Sequence, residues 1–534
     1  MYKGIMCRVL ILNLSDQFKF QKINHFAMAT DKQNVLFIIS DQHRYDHMGC
    51  SGNSVVKTPI LDKFSSESVH FTEAFSCGAM CMPTRASLMT GLYPNTHGVR
   101  SNGMILSEKI PTLTDTLVKH GYYTAAFGKL HLQYNVAPWF DGFPSAESFL
   151  GWTSQPERMP VHDNFPIPYY GFQEVEMCLG HGACLTGHYL NWLEERAPHL
   201  AGNMRERWRD MDNFFGVFTE HKIPAKLYSS AYVAERTIAF LERHAQGEYG
   251  DTPFYLHCGF PDPHQPCFPP GKYRTMYKEK DMELPPNFNN LENLRDHPYL
   301  GQFINVMPGA MLRETTEEEV KKFIAYTYGI VTLMDLHIGE ILKAIDRLGY
   351  RDNTITIYTS DHGDLMGEHG MLFKGPSHGM GVFHIPMIWR VPDCKPAVSE
   401  ALITQVDYPV TLMNMVGIKK RQLPEMQGMN MLPVLQSPND SSVEPRNCVL
   451  IENDEEVGRL NVRLRHLVTK EYKLTMYEGY PHHGDLFDRK SDPYEMNNLW
   501  YDKKLKDLRF QLVNQLFQEC LKNQSRLPKR IAGT

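Results

Sequence analysis

Two stretches of β-branched and aromatic residues, far apart in the chain, constrain the fold most strongly. Residues 34–40 read NVLFIIS and residues 354–360 read TITIYTS, and both are rich in β-branched and aromatic residues. A continuous run of this kind is typical of a β-strand that is buried on both faces, as in a parallel sheet. Further candidates alternate along the chain, with strands at 123–128, 253–260 and 384–391 and helices at 110–121, 226–244 and 318–349. The alternation predicts an α/β fold, in which a large, mostly parallel mixed sheet is sandwiched by helices.

The pattern of predicted strands and helices changes near residue 440, which indicates a main domain followed by a smaller C-terminal subdomain. Short strand-like pieces and a closing amphipathic stretch predict a smaller C-terminal antiparallel sheet plus a helix over residues 440–534. Residues 31–435 then form the main domain, within which residues 150–225 have weak periodicity and are typical of an insertion that shapes a pocket. We expect residues 1–30 to be a poorly ordered N-terminal extension without a secretory cleavage site.

Composition excludes several classes of protein. Hydrophobic residues make up 42% and charged residues 22% of the 534 positions, which excludes a disordered, collagen-like or coiled-coil chain. The net charge is −6 and no long basic run occurs, so we expect no nucleic acid partner. No run of about 18 apolar residues occurs, so we also expect no membrane span. The 11 cysteines are odd in number and widely spread, which argues against a disulfide framework and favours a cytoplasmic protein.

Polar side chains follow both of these predicted buried strands. Asp41 and Gln42 come directly after the first strand, and Asp361 and His362 come directly after the second. Open α/β sheets place their functional sites at the carboxyl ends of their strands. The sequence therefore predicts that these four side chains face one site, although a pair of strand-end caps remains the alternative.

The segment Cys81-Met82-Pro83-Thr84-Arg85 is the sharpest chemical feature of the sequence. Pro83 favours a first helical turn, so Cys81 should lie at a helix N-terminus, where the dipole and free N–H groups favour anions. Arg85, one turn further, can point back toward the thiol. Such a cysteine is acidified and suits a nucleophile or a modified residue. A buried cysteine that merely starts a helix is the alternative.

This pentapeptide and the SLMTGLYPNTHG that follows resemble the signature of the formylglycine-dependent (type I) sulfatases, within the alkaline-phosphatase-like superfamily. The resemblance continues in order through most of the chain, in the segments NVLFIISDQ, GYYTAAFGKLHL, GFPDPHQPCFPP, YTSDHGDLMGEHGMLFKG, VDYPVTL and DLFDRKSDPYEMNNL. It implies an alkaline-phosphatase-like fold, a catalytic domain over residues 31–435, and hydrolysis of sulfate monoesters.

The resemblance also implies a modified residue and a metal. A maturation enzyme would oxidise Cys81 to a formylglycine aldehyde, which hydrates to a geminal diol. One hydroxyl of the diol would attack the ester, and the other would later collapse to release the product anion. The family's metal ligands match Asp41, Gln42, Asp361 and His362, and the diol oxygen at position 81 completes the set. Because Gln42 and His362 depart from the Asp and Asn of many Ca²⁺-dependent members, the ion is left open between Ca²⁺ and Mn²⁺.

Several cationic and polar side chains acquire roles through the same resemblance. Lys129 would bind the ester oxygens, and His131, two residues on and on the same side of a strand-like segment, would take up a proton from the diol. His264 would act as general acid near the leaving oxygen, and Lys374 would touch the sulfate group and donate a proton. Asn102 would lie against the substrate oxygens. The ordinary alternatives are that the two lysines are exposed surface residues, that His264 is a loop histidine, and that Asn102 lies in a plain Ser-Asn-Gly turn.

Two other functions remain open. The first is hydrolysis of phosphonate monoesters or phosphate diesters by a close relative with the same aldehyde and with Gln and His among its metal ligands. Such relatives lack the lysine and histidine found here as Lys129 and His131, and more cations suit a fully charged sulfate ester, which favours the sulfatase. The second is an inactive binding homologue, which should have lost Cys81, Arg85 or a metal carboxylate; none is lost.

Further expectations concern residues outside this set and the binding partners of the protein. His384 stands where the resemblance would place an arginine. His181 and His188 either line the substrate pocket or satisfy loop backbone. Cys77, four residues before Cys81, could be read as a disulfide or metal partner, but no second pair accompanies it. The substrate is expected to be a small-molecule or saccharide sulfate ester, and the C-terminal tail QSRLPKRIAGT could reach a neighbouring subunit in a homo-oligomer.

Overall fold

The computed structural model describes residues 32–135, 145–149, 152, 165–182, 184–207, 216–304, 313–377, 379–457 and 460–525. The predicted N-terminal extension, residues 1–30, lies outside the described residues, as do residues 153–164 of the predicted insertion and the C-terminal tail from residue 526.

The strands begin with a long buried element and end with a group of short antiparallel ones. In chain order they are β1 Asn34–Asp41, β2 Val69–Phe71, β3 Ala74–Phe75, β4 Tyr123–Gly128, β5 Glu174–Met177, β6 Leu179–His181, β7 Cys184–Thr186, β8 Phe254–Pro263, β9 Arg313–Glu314, β10 Thr354–Ser360, β11 Met371–Leu372, β12 Met387–Arg390, β13 Ala397–Ser399, β14 Ile403–Thr404, β15 Val449–Val457, β16 Leu460–Val468, β17 Tyr472–Tyr477 and β18 Gly484–Asp488.

The α-helices are numbered separately. They are α1 Pro59–Ser66, α2 Cys81–Thr90, α3 Pro94–His97, α4 Leu113–Lys119, α5 His188–Arg196, α6 Pro198–Arg207, α7 Ser229–Ala245, α8 Leu291–Arg295, α9 Glu317–Arg347, α10 Met380–Phe383, α11 Asp407–Met415, α12 Leu432–Gln436 and α13 Lys506–Lys522.

An eight-stranded sheet organises the main part of the chain, in the order β13-β2-β12-β10-β1-β8-β4-β5. The five strands from β10 to β5 run parallel, and β12 pairs antiparallel with both of its neighbours. All eight residues of β1 are buried, as a strand covered by helices on both faces requires. This mixed, mostly parallel sheet confirms the predicted α/β fold class.

The sequence located most of these elements. Strands β4 and β10 coincide with their predicted residues, and β1 extends one residue further, to Asp41. Strand β12 begins at Met387, three residues later than predicted, because Pro386 has no N–H to donate to a ladder. Helices α7 and α9 lie within about three residues of their predicted ends.

The predicted C-terminal antiparallel sheet is also present. Strands β15, β16, β17 and β18 pair in chain order, each antiparallel to the next. Helix α13 closes it by burying Leu512 and Leu516 in the same apolar cluster as Leu450 and Leu474.

The sequence predicted neither a membrane span nor a disulfide framework, and the described residues bear on both predictions. None of the described helices is long and apolar enough to cross a membrane. The ten cysteines in this part of the chain are all free thiols.

A buried carboxyl on helix α9 yields a prediction about stability. Asp335 accepts hydrogen bonds from the backbone N–H groups of Leu61 and Ile60, at 2.8 and 3.1 Å, and so caps the start of α1. Burial raises the pKa of Asp335 to about 7, from 3.8. Between these values the folded chain holds a proton that the unfolded chain has lost, so this group makes stability fall as pH rises from about 4 to 7.

The variant Asp335→Asn should lack this part of the pH dependence. Relative to wild type, its free energy of unfolding should therefore improve from pH 5 to pH 7, by up to about 1.4 kcal/mol per pH unit. Denaturant titrations of both proteins at pH 5, 6 and 7 measure the difference. Parallel pH profiles would contradict the assignment.

Candidate active site

The sheet topology brings the polar strand ends together. Strands β10, β1, β8 and β4 are parallel neighbours, and the pairs Ser40–Ser360 and Gly128–Gly259 align their carboxyl ends. Because these ends meet at one edge, the residues that follow them converge there: Asp361 and His362 after β10, Asp41 and Gln42 at the end of β1, His264 after β8, and Lys129 and His131 after β4. The structure therefore gathers seven of the predicted site residues from four separate segments.

A glycine makes this convergence tight at β4. Gly128 has φ +103°, and a Cβ there would lie 2.0 Å from the carbonyl oxygen of Gly259 on β8. Only glycine tolerates both the backbone angle and the approach. Lys129 follows directly, and its backbone N–H donates to that same carbonyl at 2.7 Å.

Cys81 is the first residue of α2, as predicted, and helix α2 is buried throughout. Its Sγ lies 3.1 Å from Nε2 of His362, 3.1 Å from Nζ of Lys374 and 3.8 Å from Oδ1 of Asp41. Burial and the charge of Asp41 raise the pKa of the thiol, but Lys374, Lys129 and His362 outweigh them and the pKa is lowered overall.

Arg85, one helical turn after Cys81, ties three strand ends together. Its Nε donates to Oδ2 of Asp361 at 2.8 Å, its Nη2 lies 3.4 Å from Oδ2 of Asp41, and its Nη1 donates to the carbonyl of Lys129 at 2.9 Å. The Arg85 side chain is 2% exposed, so these interactions are little screened by solvent. Arg85 thus holds both carboxylates in place.

Asp41 is ionised in this environment. Burial alone would raise its pKa, but the charges of Lys129 and Arg85 bring the pKa well below its usual value. Lys129 is the nearest of these, with its ammonium directly on Oδ2 of Asp41 and both side chains fully buried. A buried carboxylate held in this way can serve as a metal ligand.

The donor set suits a divalent ion. Ligand atoms of Asp41, Cys81, Asp361 and His362 all lie within 4.8 Å of one another. Two carboxylates and an imidazole nitrogen, with an amide oxygen beside them, can bind a hard or borderline dication such as Ca²⁺ or Mn²⁺. The residues present therefore fit the ion that the sequence resemblance implied.

The amide of Gln42 is oriented toward this group by two partners that the sequence did not reveal. Its Nε2 donates to Oε1 of Gln265 at 2.6 Å and to Oδ2 of Asp364 at 2.5 Å. These bonds leave Oε1 to accept from Nζ of Lys374, at 2.8 Å. Gln265 and Asp364 lie within recognised motifs, but no pattern in the sequence indicates that they meet Gln42.

Lys374 lies at the centre of the site. Its ammonium is within hydrogen-bond distance of four groups: Gln42 Oε1 at 2.8 Å, His362 Nε2 at 2.9 Å, His264 Nε2 at 3.0 Å and Cys81 Sγ at 3.1 Å. The side chain is buried, so its charge acts at close range on all four.

His264 is held in a defined orientation. Its Nδ1 donates to the carbonyl of Gln265 at 2.6 Å, so Nε2 carries the lone pair that faces Lys374. Burial and the charge of Lys374 lower the pKa of His264 well below its usual value. His181 stacks on it, with ring centroids 3.6 Å apart and planes at 12°.

His131 also reaches the site, but not for the reason predicted. Strand β4 ends at Gly128, and His131 has a left-handed backbone with φ 59°, so strand alternation does not apply to residues 129–131. Instead, Glu147 accepts hydrogen bonds from the backbone N–H groups of His131 and Leu132, both at 2.8 Å. Burial and the charges of Lys129 and Arg85 lower the pKa of His131 well below its usual value.

Asn102 lies at the start of α2 beside the thiol. Its Oδ1 accepts a hydrogen bond from the backbone N–H of Met82 at 3.1 Å. It therefore satisfies one of the free N–H groups of the first turn, next to the position of Cys81.

Three residues singled out from the sequence have partners elsewhere. Nδ1 of His188 accepts from the backbone N–H of Met177 at 2.9 Å. His384 stacks on Tyr45 at 4.0 Å and bonds the carbonyl of Thr72 at 2.8 Å. The thiol of Cys77 contacts Gln405 at 3.4 Å and forms no disulfide.

Gln405 is a further residue that sequence reasoning missed. Its Nε2 donates to the carbonyls of Asp361 and Ser360, at 2.6 and 3.1 Å, and its Oε1 accepts from the backbone N–H of Cys77 at 3.1 Å. It therefore joins the end of β10 to the segment that precedes α2. It lies one residue before the motif VDYPVTL, and the motif does not indicate this contact.

The α/β sheet carries a buried cluster of cations, carboxylates and a cysteine at a helix N-terminus. This combination is that of the α/β hydrolases that act on anionic esters with a metal ion. The family follows from comparison with known proteins. The sulfatase family profile matches residues 33–418, and a profile named N-sulphoglucosamine sulphohydrolase, C-terminal, matches residues 367–522. The chain belongs to the sulfatase family, whose members use a divalent metal and a formylglycine made from cysteine.

Three relatives illustrate the likeness. The uncharacterized sulfatase YidJ of Escherichia coli K12 is 27% identical over 91% of this chain and 86% of its own length. An arylsulfatase of Clostridium perfringens is 26% identical over 89% of this chain and 92% of its own. The crystal structure of a phosphonate monoester hydrolase of Agrobacterium radiobacter superposes with a TM-score of 0.74 at 23% identity, covering 93% of this chain and 97% of that one.

Proposed function

We propose that this sulfatase hydrolyses sulfate monoesters at the site around Cys81, and that Cys81 is formylglycine in the mature protein. The observation that carries the proposal is the position of the Cys81 side chain, in contact with His362 and Lys374 and close to Asp41. A dianionic transition state needs several positive charges around the reacting atom, and this position has them.

The chain's own residues divide the work. Arg85 holds the two carboxylates, which keeps the ligand group rigid. Lys129 and Lys374, whose charges both act on the side chain of Cys81, bind the oxygens of the sulfate group, and Asn102 supports the first turn of α2. The pair Lys374–His264, 3.0 Å apart, holds the proton that the leaving oxygen receives. His131 takes up a proton near position 81.

Two groups complete this chemistry. A divalent ion, Ca²⁺ or Mn²⁺, would be held by Asp41, Gln42, Asp361, His362 and the side chain of residue 81, and would supply positive charge at the reacting oxygens. Formylglycine would supply a hydrated aldehyde as the nucleophile.

Hydrolysis of phosphonate monoesters or phosphate diesters at the same site is the second candidate. The amide of Gln42 and the imidazole of His362 among the metal-facing residues favour it. Lys129 opposes it, because the sequence resemblance places no such lysine in the phosphonate-hydrolysing relatives, whereas here its ammonium is fully buried against Asp41. We therefore rank the sulfate ester first, ahead also of an inactive binding role.

The remaining assignments are parts of the same proposal. We take residues 31–435 as the catalytic domain, residues 150–225 as the segment that shapes the pocket and residues 440–534 as the C-terminal subdomain. The substrate is a small-molecule or saccharide sulfate ester. We also propose a cytoplasmic location, a maturation enzyme as partner, and a homo-oligomer formed through the C-terminal tail.

Parallel kinetics with an aryl sulfate and an aryl phosphonate monoester that share one phenol test the order of the two candidates. Converted, metal-loaded enzyme should show kcat/KM for the sulfate at least about tenfold higher, since about 1.4 kcal/mol of extra transition-state stabilisation is enough for that ratio. The shared phenol makes the leaving group its own control. A higher kcat/KM for the phosphonate would reverse the ranking.

A further inference from the structure

We propose that His181 is a positioning residue of this active site, which sets the direction of the Lys129 ammonium through a hydrogen bond and the plane of the His264 ring through stacking. The inference rests on the proposed function, and it gives the segment 150–225 a direct role in the chemistry. No motif in the sequence distinguished His181 from a loop histidine.

The hydrogen bond with Lys129 has a fixed direction. Nε2 of His181 lies 2.5 Å from Nζ of Lys129. An ammonium group has donors only, so the imidazole nitrogen must accept. The other close partner of that ammonium is Oδ2 of Asp41, which lies 3.8 Å from Nε2 of His181. Two acceptors therefore direct two of the three N–H groups of Lys129 and leave the third for a substrate oxygen.

The stacking contact fixes the neighbouring imidazole. The rings of His181 and His264 are nearly parallel, 3.6 Å apart. The bond from Nδ1 of His264 to the carbonyl of Gln265 prevents translation in the plane, and the stacked ring prevents tilting. Together they aim Nε2 of His264 at Lys374, the arrangement that proton delivery to the leaving oxygen requires.

The hairpin that carries His181 is itself anchored. His181 is the last residue of β6, which pairs with β7 in a two-stranded antiparallel sheet. Gly182 follows with φ +51°, and a Cβ there would lie 2.1 Å from the carbonyl oxygen of Pro266. The glycine lets the hairpin tip rest directly on the segment that contains His264. The side chain of His181 is thus placed by backbone contact rather than by a flexible loop.

Two substitutions separate the two contacts. His181→Gln keeps an acceptor at the position of Nε2 but loses the stacked ring. His181→Phe keeps a stacked ring but loses the acceptor. His199→Gln, at an exposed position of α6 in the same segment, is the matched control.

Each contact is tested by its own measurement: the stacking by the dependence of activity on the leaving group, and the hydrogen bond by the affinity for sulfate. With a series of aryl sulfates of rising phenol pKa, His181→Gln should lose activity on the poorest leaving groups about tenfold more than on the best, because protonation of the leaving oxygen is impaired. His181→Phe should keep the wild-type dependence on the phenol pKa, but should bind inorganic sulfate about tenfold more weakly by calorimetry, because Lys129 is no longer oriented.

The outcomes distinguish this inference from the proposed function. The positioning role would be overturned if both variants lost activity by the same factor on every substrate. It would also be overturned if His181→Phe bound sulfate with wild-type affinity. Failure of the wild-type enzyme to hydrolyse any sulfate ester would contradict the proposed function, whereas the sulfate affinities of the variants still decide the role of His181. The control variant should match wild type in both measurements.

Discussion

Replacing Asp361 with asparagine is expected to lower kcat/KM for a sulfate monoester by a factor on the order of 10³ or more. Asp361 accepts from Nε of Arg85 at 2.8 Å through Oδ2, and from the backbone N–H groups of Gln42 and His362 at 3.0 and 2.9 Å through Oδ1. Removing its charge takes away a carboxylate ligand and leaves Asp41 as the one carboxylate that contacts Arg85. The metal content of the purified variant, measured by elemental analysis, should fall together with the activity.

The variant Asp335→Asn provides the matched control at another buried carboxyl. Asp335 contacts the backbone of Ile60 and Leu61 and none of the site residues. Its asparagine variant should keep wild-type metal content and kcat/KM. An Asp361→Asn protein that retained both a stoichiometric metal ion and wild-type activity would show that this carboxylate is not part of the site.

Replacing Lys374 with methionine is expected to lower kcat by about 10²–10³-fold, the usual cost of removing one donor that stabilises a developing charge. Methionine has a similar length and no charge, so the packing is largely kept while four polar contacts are lost. Steady-state kinetics should show the loss mainly in kcat, because the ammonium acts on the proton and charge at the reacting centre rather than on initial binding alone.

Lys473 is the matched control for this change. Its side chain is also fully buried, but its ion pair is with Glu495 in the C-terminal part of the chain. Lys473→Met should lower the free energy of unfolding by about 3–5 kcal/mol, since it removes the cation from a buried pair. Its kcat per folded molecule should stay at the wild-type value. A Lys374→Met enzyme with wild-type kcat would remove Lys374 from the proposed proton pathway.

The sequence predicted the parts of this molecule that depend on local pattern. Strands β1 and β10 are short runs rich in β-branched and aromatic residues, and this composition and length indicate buried strands without any tertiary information. Once both are parallel and adjacent, Asp41 and Asp361 must meet, because parallel strands end at the same edge. The helix start at Cys81 likewise follows from Pro83.

The contacts that orient the site could not be read from the sequence. Gln42 is directed by Gln265 and Asp364, which lie more than two hundred residues away in the chain. The expectation of a strand-like segment at residues 129–131 was wrong, because β4 ends at Gly128 and His131 has a left-handed backbone, next to which Glu147 accepts from the N–H groups of His131 and Leu132. Such pairings depend on which loops meet, and periodicity carries no information about that.

The conversion of Cys81 is the central claim, and one titration tests it most directly. Preparations made with increasing amounts of the maturation enzyme are analysed for the mass of the peptide that contains residue 81, where conversion to formylglycine removes about 18 Da. Specific activity toward an aryl sulfate should rise in proportion to the converted fraction, along a line through the origin. Activity that is independent of conversion, or a fully converted, metal-loaded protein that hydrolyses no sulfate ester, would contradict the account.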